Sequence, residues 1–532
     1  MWWVVVAFFI VVLGYFWLLA RQNKYWLEKG VNQGRYMTVF GDSWKIIVRK
    51  QSFAEMVLEV YNKFPNCRYS GIYQFFAPTL LIRDPDLIKQ ITVKDFDHFV
   101  DHRGFVPTES DPLLGKSLFS LSGMKWREMR STLSPSFTSS KMKYLFPIIS
   151  QNGEQFVKHF QEQDKDVVTV EMRDVITKFT NDVIANAVFG YECNSLKDPN
   201  NEFYLMGKIG TNLANFRTLF VVIGSIVIPQ FIKLFKITFF PKNMTQFFSR
   251  IVKENIDSRE KRGVVRPDMI NLMLQARKPN FKYEHSLSIP DTGFATVEES
   301  DIGQDQKFSK KDITDEDITA QALIFFFAGF DSVSSLLCFM SHELAVNQDV
   351  QEKLMQEVDD TWNECDGKIT YEALMSMKYM DMVVSETLRK WPNAIATDRV
   401  CTKPYTIEPK SPNEKPLRLE VNDNVLISMY AIHRDPQYYP DPDRFDPERF
   451  SDENKSKIHP YTYLPFGTGP RSCIGSRFAL METKVLFFHL LSSFEIVPVE
   501  KTQIPIRFSR KAINMSAEKG FWVGLKKRAT RT

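Results

Sequence analysis

Cysteine is scarce and scattered: six residues in 532, at positions 67, 193, 338, 365, 401 and 473, with neither Cys-x-x-Cys nor Cys-x-x-Cys-His among them. A disulfide framework, a cysteine zinc knuckle, paired-thiol redox chemistry and a covalently attached c-type haem all lack their signatures, and reduced cytosolic thiols are expected. Charge of one sign is lacking too. Lys plus Arg (68) against Asp plus Glu (64) leave a formal net charge of +4, so no nucleic-acid partner is expected from bulk charge. No Gly-x-Gly-x-x-Gly follows a strand pattern, which removes the usual nucleotide cradle. No internal repeat and no Gly/Ser-rich or Pro-rich tract marks a boundary, so one large domain is the simplest organisation.

Long apolar runs are confined to the N-terminus. Trp2–Ala20 is 19 residues without a charged side chain, followed by Arg21, Lys24 and Lys29. That length crosses a bilayer, and without a basic leader it reads as an uncleaved anchor, residues 1–21, rather than a signal peptide. Cations on its C-terminal side put residues 22–532 in the cytosol. Helical periodicity is expected around Met124–Met129, Asn152–Gln161, Met244–Arg259, Asp349–Trp362 and Tyr371–Trp391. Short strands are expected at Leu80–Arg83, Asn424–Ser428 and Phe521–Leu525. The fold class is therefore mainly α with small β-sheets. His285–Asp317 is polar and reads as an exposed connection.

Ile318–Val346 is apolar on all sides, the mark of a buried helix. Asp331, His342, Glu343 and several serines speak against a second membrane span. Its centre, Ala328-Gly329-Phe330-Asp331-Ser332, sets two small residues beside an acid and an alcohol. Gly is disfavoured inside helices by about 1 kcal/mol, so the gap answers either to close helix packing or to a need for space. The sharpest chemical signal is Phe466-Gly467-Thr468-Gly469-Pro470-Arg471-Ser472-Cys473-Ile474-Gly475. A metal-ligating thiolate needs donors to hold its charge and shelter from bulk water. Glycines let backbone N–H groups approach the sulfur, and Arg471 can pair with a nearby carboxylate. The loop suits Cys473 as the single axial ligand of a haem iron, with Phe466 and Gly475 lining it.

With these motifs the chain resembles the cytochrome P450 family of haem-thiolate monooxygenases over almost its whole length, and most resembles insect microsomal detoxification enzymes of the clan that includes vertebrate drug-oxidising members. The resemblance implies that family's fold behind one N-terminal transmembrane helix. It also implies haem b (iron protoporphyrin IX) as cofactor, with Trp126 and Arg130 of Trp-x-x-x-Arg reaching the propionates and Arg399 joining them. Glu386 and Arg389 of Glu-x-x-Arg would form a structural lock with Arg449. Asp331 and Ser332, with Ala328 and Gly329 opening a groove, would relay protons. Ser332 departs from the family, in which most members carry Thr.

The implied activity is insertion of one oxygen atom from O2 into a lipophilic substrate, with electrons from NADPH through a membrane-bound reductase and cytochrome b5 as a further partner. Lys125, Arg127, Arg130, Lys141 and Lys143 against Glu128 offer an acidic partner a docking face. Phe105, Phe119, Phe216, Phe220, Phe325, Phe330, Ala394 and Ile395 are the expected pocket wall. The phenylalanine-rich Phe216–Phe240 segment is suited to contact membrane lipid. The location implied is the endoplasmic reticulum membrane, although no Pro precedes Pro65 to form a hinge after the anchor. Two other functions stay open: a haem-thiolate isomerase or dehydratase needing no external electrons, and a non-catalytic haem-binding protein.

Overall fold

The computed structural model describes residues 24–34, 40–75, 77–104, 107, 110–211, 216–263, 266, 268–277, 294–296, 313–412, 414–511 and 514–528, together with Trp2, Val6, Phe9, Ile10, Leu13 and Gly14. The expected anchor therefore lies almost wholly outside the described residues, as do Phe105, the side chain of Phe216 and most of the polar stretch.

Helices dominate. The principal ones are α1 (Phe53–Lys63), α2 (Gly123–Leu133), α3 (Ser139–Gln161), α4 (Met172–Phe189), α5 (Lys242–Arg262), α6 (Asp315–Val346), α7 (Gln348–Glu364), α8 (Lys378–Lys390) and α9 (Ser476–Ser493). The strands are β1 (Tyr69–Gln74), β2 (Ala77–Ile82), β3 (Val167–Glu171), β4 (Thr397–Val400), β5 (Tyr405–Ile407), β6 (Leu417–Leu419), β7 (Asn424–Ile427), β8 (Phe494–Val497) and β9 (Trp522–Lys527). They form three small sheets, ordered β1-β2-β7-β4, β3-β9-β8 and β5-β6. In the first, β2 and β7 run parallel, and β4 closes the edge antiparallel to β7 with Arg399 opposite Val425. An isolated bridge between Asp101 and Val400 draws the chain before α2 onto this edge.

Central to the helical layer is α6. Its first turn holds Asp315, Glu316 and Asp317, the end of the stretch whose composition suggests an exposed connection. Thr314 and Asp317 cap each other reciprocally, and the acids complement the helix dipole, so the helix begins earlier than its apolar pattern. Among the described residues α6 alone is long and apolar enough to cross a membrane, but most of it is buried inside the protein, as expected of a core helix. Gly329 marks its close approach to α4: a Cβ there would lie 2.8 Å from Ile184 Cδ1. The missing side chain at Gly329 thus lets α6 and α4 approach closely.

The helix expected over Tyr371–Trp391 is broken at Met377, whose ψ of 105° leaves the helical region. Glu357 of α7 accepts the N–H groups of Tyr379 and Met380, both at 2.7 Å, satisfying donors that start the new helix. Before the sheet, the short helix Tyr25–Glu28 is locked down. Trp26 is fully buried where a Cβ on Gly71 would come within 2.5 Å of its ring, and the Tyr25 hydroxyl donates to Asp423 Oδ2 at 2.6 Å. Lys29 reaches the same carboxylate at 3.3 Å.

α9 packs on α3 through Gly153, which leaves room for the His489 ring, and His489 Nε2 lies 2.9 Å from Ser150 Oγ. Burial lowers the imidazole pKa from 6.5 to about 4. Such a group adds stability that is complete above its unfolded value and lost as pH falls through the window from 6.5 to about 4. His489→Gln keeps a polar partner for Ser150 without the titration. The fall in denaturant midpoint between about pH 7 and about pH 5 is expected to be smaller in this variant than in the wild type. An equal fall in both would show that His489 does not carry the acid sensitivity.

Candidate functional site

The Phe466–Gly475 loop closes on itself before α9. Cys473 N–H donates to the Phe466 carbonyl (2.9 Å), Ser472 N–H to that of Gly469 (2.9 Å), and Gly467 N–H to that of Leu464 (3.1 Å). Gly469 adopts φ 71°, and a Cβ there would come within 2.0 Å of the Thr92 carbonyl oxygen, so only glycine fits. Gly475 is different. Its φ is −95°, and a Cβ would meet only Phe137 Cε1 at 3.8 Å, so no protein atom demands a glycine there. Cys473 presents accessible surface although it lies deep in the protein, and so borders an interior space. Burial raises its thiol pKa, opposed by the Gly475 N–H and the charge of Arg130.

Three cations meet at this loop: Arg130 from α2, Arg399 from β4 and the loop's own Arg471. Trp126 and Arg130 lie one turn apart on α2, and Arg130 Nη1 donates to the Ser472 carbonyl at 2.9 Å. Arg471 stacks over the Trp126 ring at 4.0 Å, gives Nε–H to Val100 O (2.8 Å) and Nη2–H to Leu121 O (2.7 Å), and stands 3.5 Å from the Asp101 carboxylate. Arg399, on β4, is 1% exposed. Its Nη2 reaches Thr468 O at 3.4 Å, and its Nε has no hydrogen-bond partner among the described residues. Burial depresses Arg399 to about 10 and Arg471 to about 9, with Arg399 and Arg130 pushing Arg471 further down. Among the described residues the cluster is left with more positive than negative charge, because Arg130, Arg399 and Arg471 face the carboxylates of Asp101 and Asp398.

A residue missed from sequence sits beside it. His102 Nδ1 lies 3.1 Å from both the backbone oxygen and the carboxylate of Asp398, and its ring stacks with Phe119 at 5.7 Å. Burial, and then Arg399 among the nearby charges, hold it below its ordinary pKa, although the hydrogen bond to Asp398 opposes this. A lone histidine offers no spacing pattern; only the Asp101–Val400 bridge reveals its neighbours.

On α6, Ala328 is exposed in the middle of a buried helix, and the Ser332 hydroxyl donates to its carbonyl at 2.6 Å. Phe325 stands edge-on to Phe137 at 5.2 Å, and Phe137 in turn flanks Gly475, so this stretch of α6 and the cysteine loop share a boundary. Asp331 does not join Ser332. Successive helical residues point about 100° apart, and Asp331 turns to an ion pair with Arg173 of α4 and accepts Asn514 Nδ2–H at 2.5 Å. Phe330, expected in the pocket wall, is core: it packs against Phe326 (5.5 Å) and Tyr204 (6.4 Å). Ile395 is buried, with its carbonyl accepting Ser428 Oγ–H at 3.2 Å, whereas Ala394, Phe119 and Phe220 are exposed.

Beneath the loop, Arg389 and Glu386 form a fully buried pair, Nε to Oε2 at 2.6 Å. Burial works against the Arg389 charge, but Glu386 outweighs it and raises the guanidinium above its ordinary value. Arg389 also donates to the carbonyls of His433 and Pro442, each at 2.8 Å, while Glu386 accepts Asp446 N–H at 2.9 Å. Arg449 completes the group at 3.6 Å from Glu386 and donates to Asp441 O. Removing one partner of such a pair costs about 3–5 kcal/mol because a charge is stranded. Glu386→Ala is therefore expected to lose haem incorporation, read as haem bound per purified chain. A normal yield of coloured protein would contradict this.

The family model for cytochrome P450 matches residues 44–523. Among curated proteins, cytochrome P450 9e2 of Blattella germanica is 46% identical, covering 99% of this chain and 98% of its own length. Probable cytochrome P450 9f2 of Drosophila melanogaster is 39% identical over 99% of both chains, and cytochrome P450 6k1 of Blattella germanica is 35% identical over 96% of this chain and 94% of its own. The cysteine loop, the cations around it and likeness along the whole length agree: this chain belongs to the cytochrome P450 family of haem-dependent monooxygenases.

Proposed function

We propose that the chain holds haem b through Cys473 and inserts one oxygen atom from O2 into lipophilic small molecules, xenobiotics or endogenous lipids, with electrons from NADPH delivered by a partner reductase. The observation that carries this reading is Cys473 bordering an interior space beside guanidinium groups short of negative charge. Among the described residues no group of three or more His, Cys, Asp or Glu could hold a metal ion, so a lone thiolate suits an iron already chelated by a porphyrin. The residues fit that group. Gly475 leaves space beside the sulfur that no described protein atom requires, and Arg399 Nε, without a partner among the described residues, would with Trp126, Arg130 and Arg471 answer its carboxylates. When bound, a cysteine-ligated haem supplies the activation of O2 needed to attack an unactivated C–H bond.

The remaining roles belong to the chain. Ala328 leaves room at the face of α6, and the Ser332 hydroxyl can hand a proton onward from its bond to the Ala328 carbonyl. Asp331, fixed by Arg173 and Asn514, would act on that relay only through the helix it braces. Phe119, Phe325, Ala394 and Phe220 are the candidates for an apolar wall, and such a wall with few polar anchors gives broad selectivity. Of the expected reductase-facing cations, Arg127 is paired with Asp97 and Lys143 with Glu372, leaving exposed Lys125 and half-buried Lys141 to face an acidic reductase or cytochrome b5. Exposed Phe231, Leu234 and Phe235 suit contact with membrane lipid, in keeping with an anchor at residues 1–21 in the endoplasmic reticulum and residues 22–532 on the cytosolic side.

Two experiments test the reading. The reduced chain with carbon monoxide should give the red-shifted band of a thiolate-ligated haem, and Cys473→Ala should lose it; colour with that band retained in the variant would end the proposal. Reconstituted with reductase and a lipophilic substrate panel, the chain should consume NADPH and form oxygenated product. In the same assay Ser332→Thr is expected to lower hydrogen peroxide released per product formed, because the added methyl restricts χ1 and aims the hydroxyl. An unchanged ratio would remove Ser332 from the relay.

A further inference from the structure

Phe294, Ala295 and Thr296 belong to the polar stretch between α5 and α6, and they are docked on the protein. Ala295 is 3% exposed. Phe294 N–H donates to Asp381 Oδ2 at 2.9 Å, and its ring stands 5.4 Å from Phe450 and 5.5 Å from Tyr463. Asp381 lies in the first turn of α8, and its other oxygen is 3.0 Å from the Nζ of Lys484, which is buried on α9 just beyond the cysteine loop. Tyr463 leads into that loop. Its hydroxyl donates to Ser385 O at 2.9 Å beside Glu386, and its ring stacks on His433 at 5.5 Å. His433 Nε2 accepts Leu464 N–H at 2.8 Å, and the Leu464 carbonyl accepts Gly467 N–H. A continuous set of contacts thus runs from Phe294 through Tyr463 and Leu464 to the turn that carries Cys473.

We propose that Phe294, though 38% exposed, is a positioning residue for Cys473: a ring, contributed by an otherwise polar stretch, that braces the aromatic wall of Phe450, Tyr463 and His433 from which the cysteine loop departs. The proposal rests on the reading of Cys473 as the haem ligand. Two ring contacts of this kind correspond to roughly a tenfold change in an equilibrium.

The test compares full-length haem-loaded wild type with Phe294→Ala and the conservative Phe294→Tyr. Measured are the fraction of the carbon monoxide complex in the thiolate-ligated form, the rate of haem transfer to apomyoglobin, and the melting temperature. Phe294→Ala should raise the non-thiolate fraction severalfold and speed haem transfer by about tenfold, with Phe294→Tyr restoring both. A lowered melting temperature with unchanged ligation and transfer would reduce Phe294 to ordinary packing and overturn the proposal. Should the alanine variant not fold, Phe294→Leu is read by the same two criteria. A wild type without the thiolate band would instead overturn the reading of Cys473 itself, a distinct outcome.

Discussion

The cysteine loop depends on two buried guanidinium groups whose N–H bonds go to backbone carbonyls rather than only to acids. Arg389 binds carbonyls of His433 and Pro442, and Arg471 binds those of Val100 and Leu121. These carbonyls belong to irregular chain, where no ladder or helix satisfies them, and a buried carbonyl left alone is costly. A planar cation with five fixed donors fastens several such strands of chain at one point. The loop is thereby clasped from two sides, by α8 below and by the segment before α2 alongside. Irregular backbone can then surround Cys473 and still be rigid.

This clasp explains why the site was so legible in sequence. Phe466–Gly475, Trp126 with Arg130, and Glu386 with Arg389 are short-range patterns, and each side chain that they nominate either lies in the loop or touches what supports it. Where function depends on partners far along the chain, the pattern was silent. The resemblance pairs Asp331 with Ser332 in one relay, yet the partners of Asp331, Arg173 and Asn514, are 158 and 183 residues away. His102 had no motif at all. Gly329 is ambiguous in sequence because a helical glycine serves close packing or open space equally well, and the packing partner that the fold supplies, Ile184, is far along the chain. The start of α6 was misjudged for a related reason: three acids in a row read as solvent, while a reciprocal cap and a helix dipole turn them into the opening of the core helix.

α6 consequently presents chemically distinct sides. One, through Gly329 and Phe330, packs tightly into the core; another carries Asp331 into an ionic brace; a third, through Ala328 and Ser332, is left uncovered. A helix immobilised by its first two sides can hold the third steady without any cross-link there. Substitutions at the brace would accordingly act on the open side by rotating or loosening the helix, not by touching it.

Trp26 and Tyr25 fasten the short helix before the sheet to the rest of the body. With the indole sunk against Gly71 and the phenol and Lys29 gripping Asp423, the first described helix is socketed into the four-stranded sheet. Gly71 lies on β1 and Asp423 directly precedes β7, so the two grips tie this one helical turn to strands that are not neighbours in the sheet, and loosening either grip leaves the other to hold it.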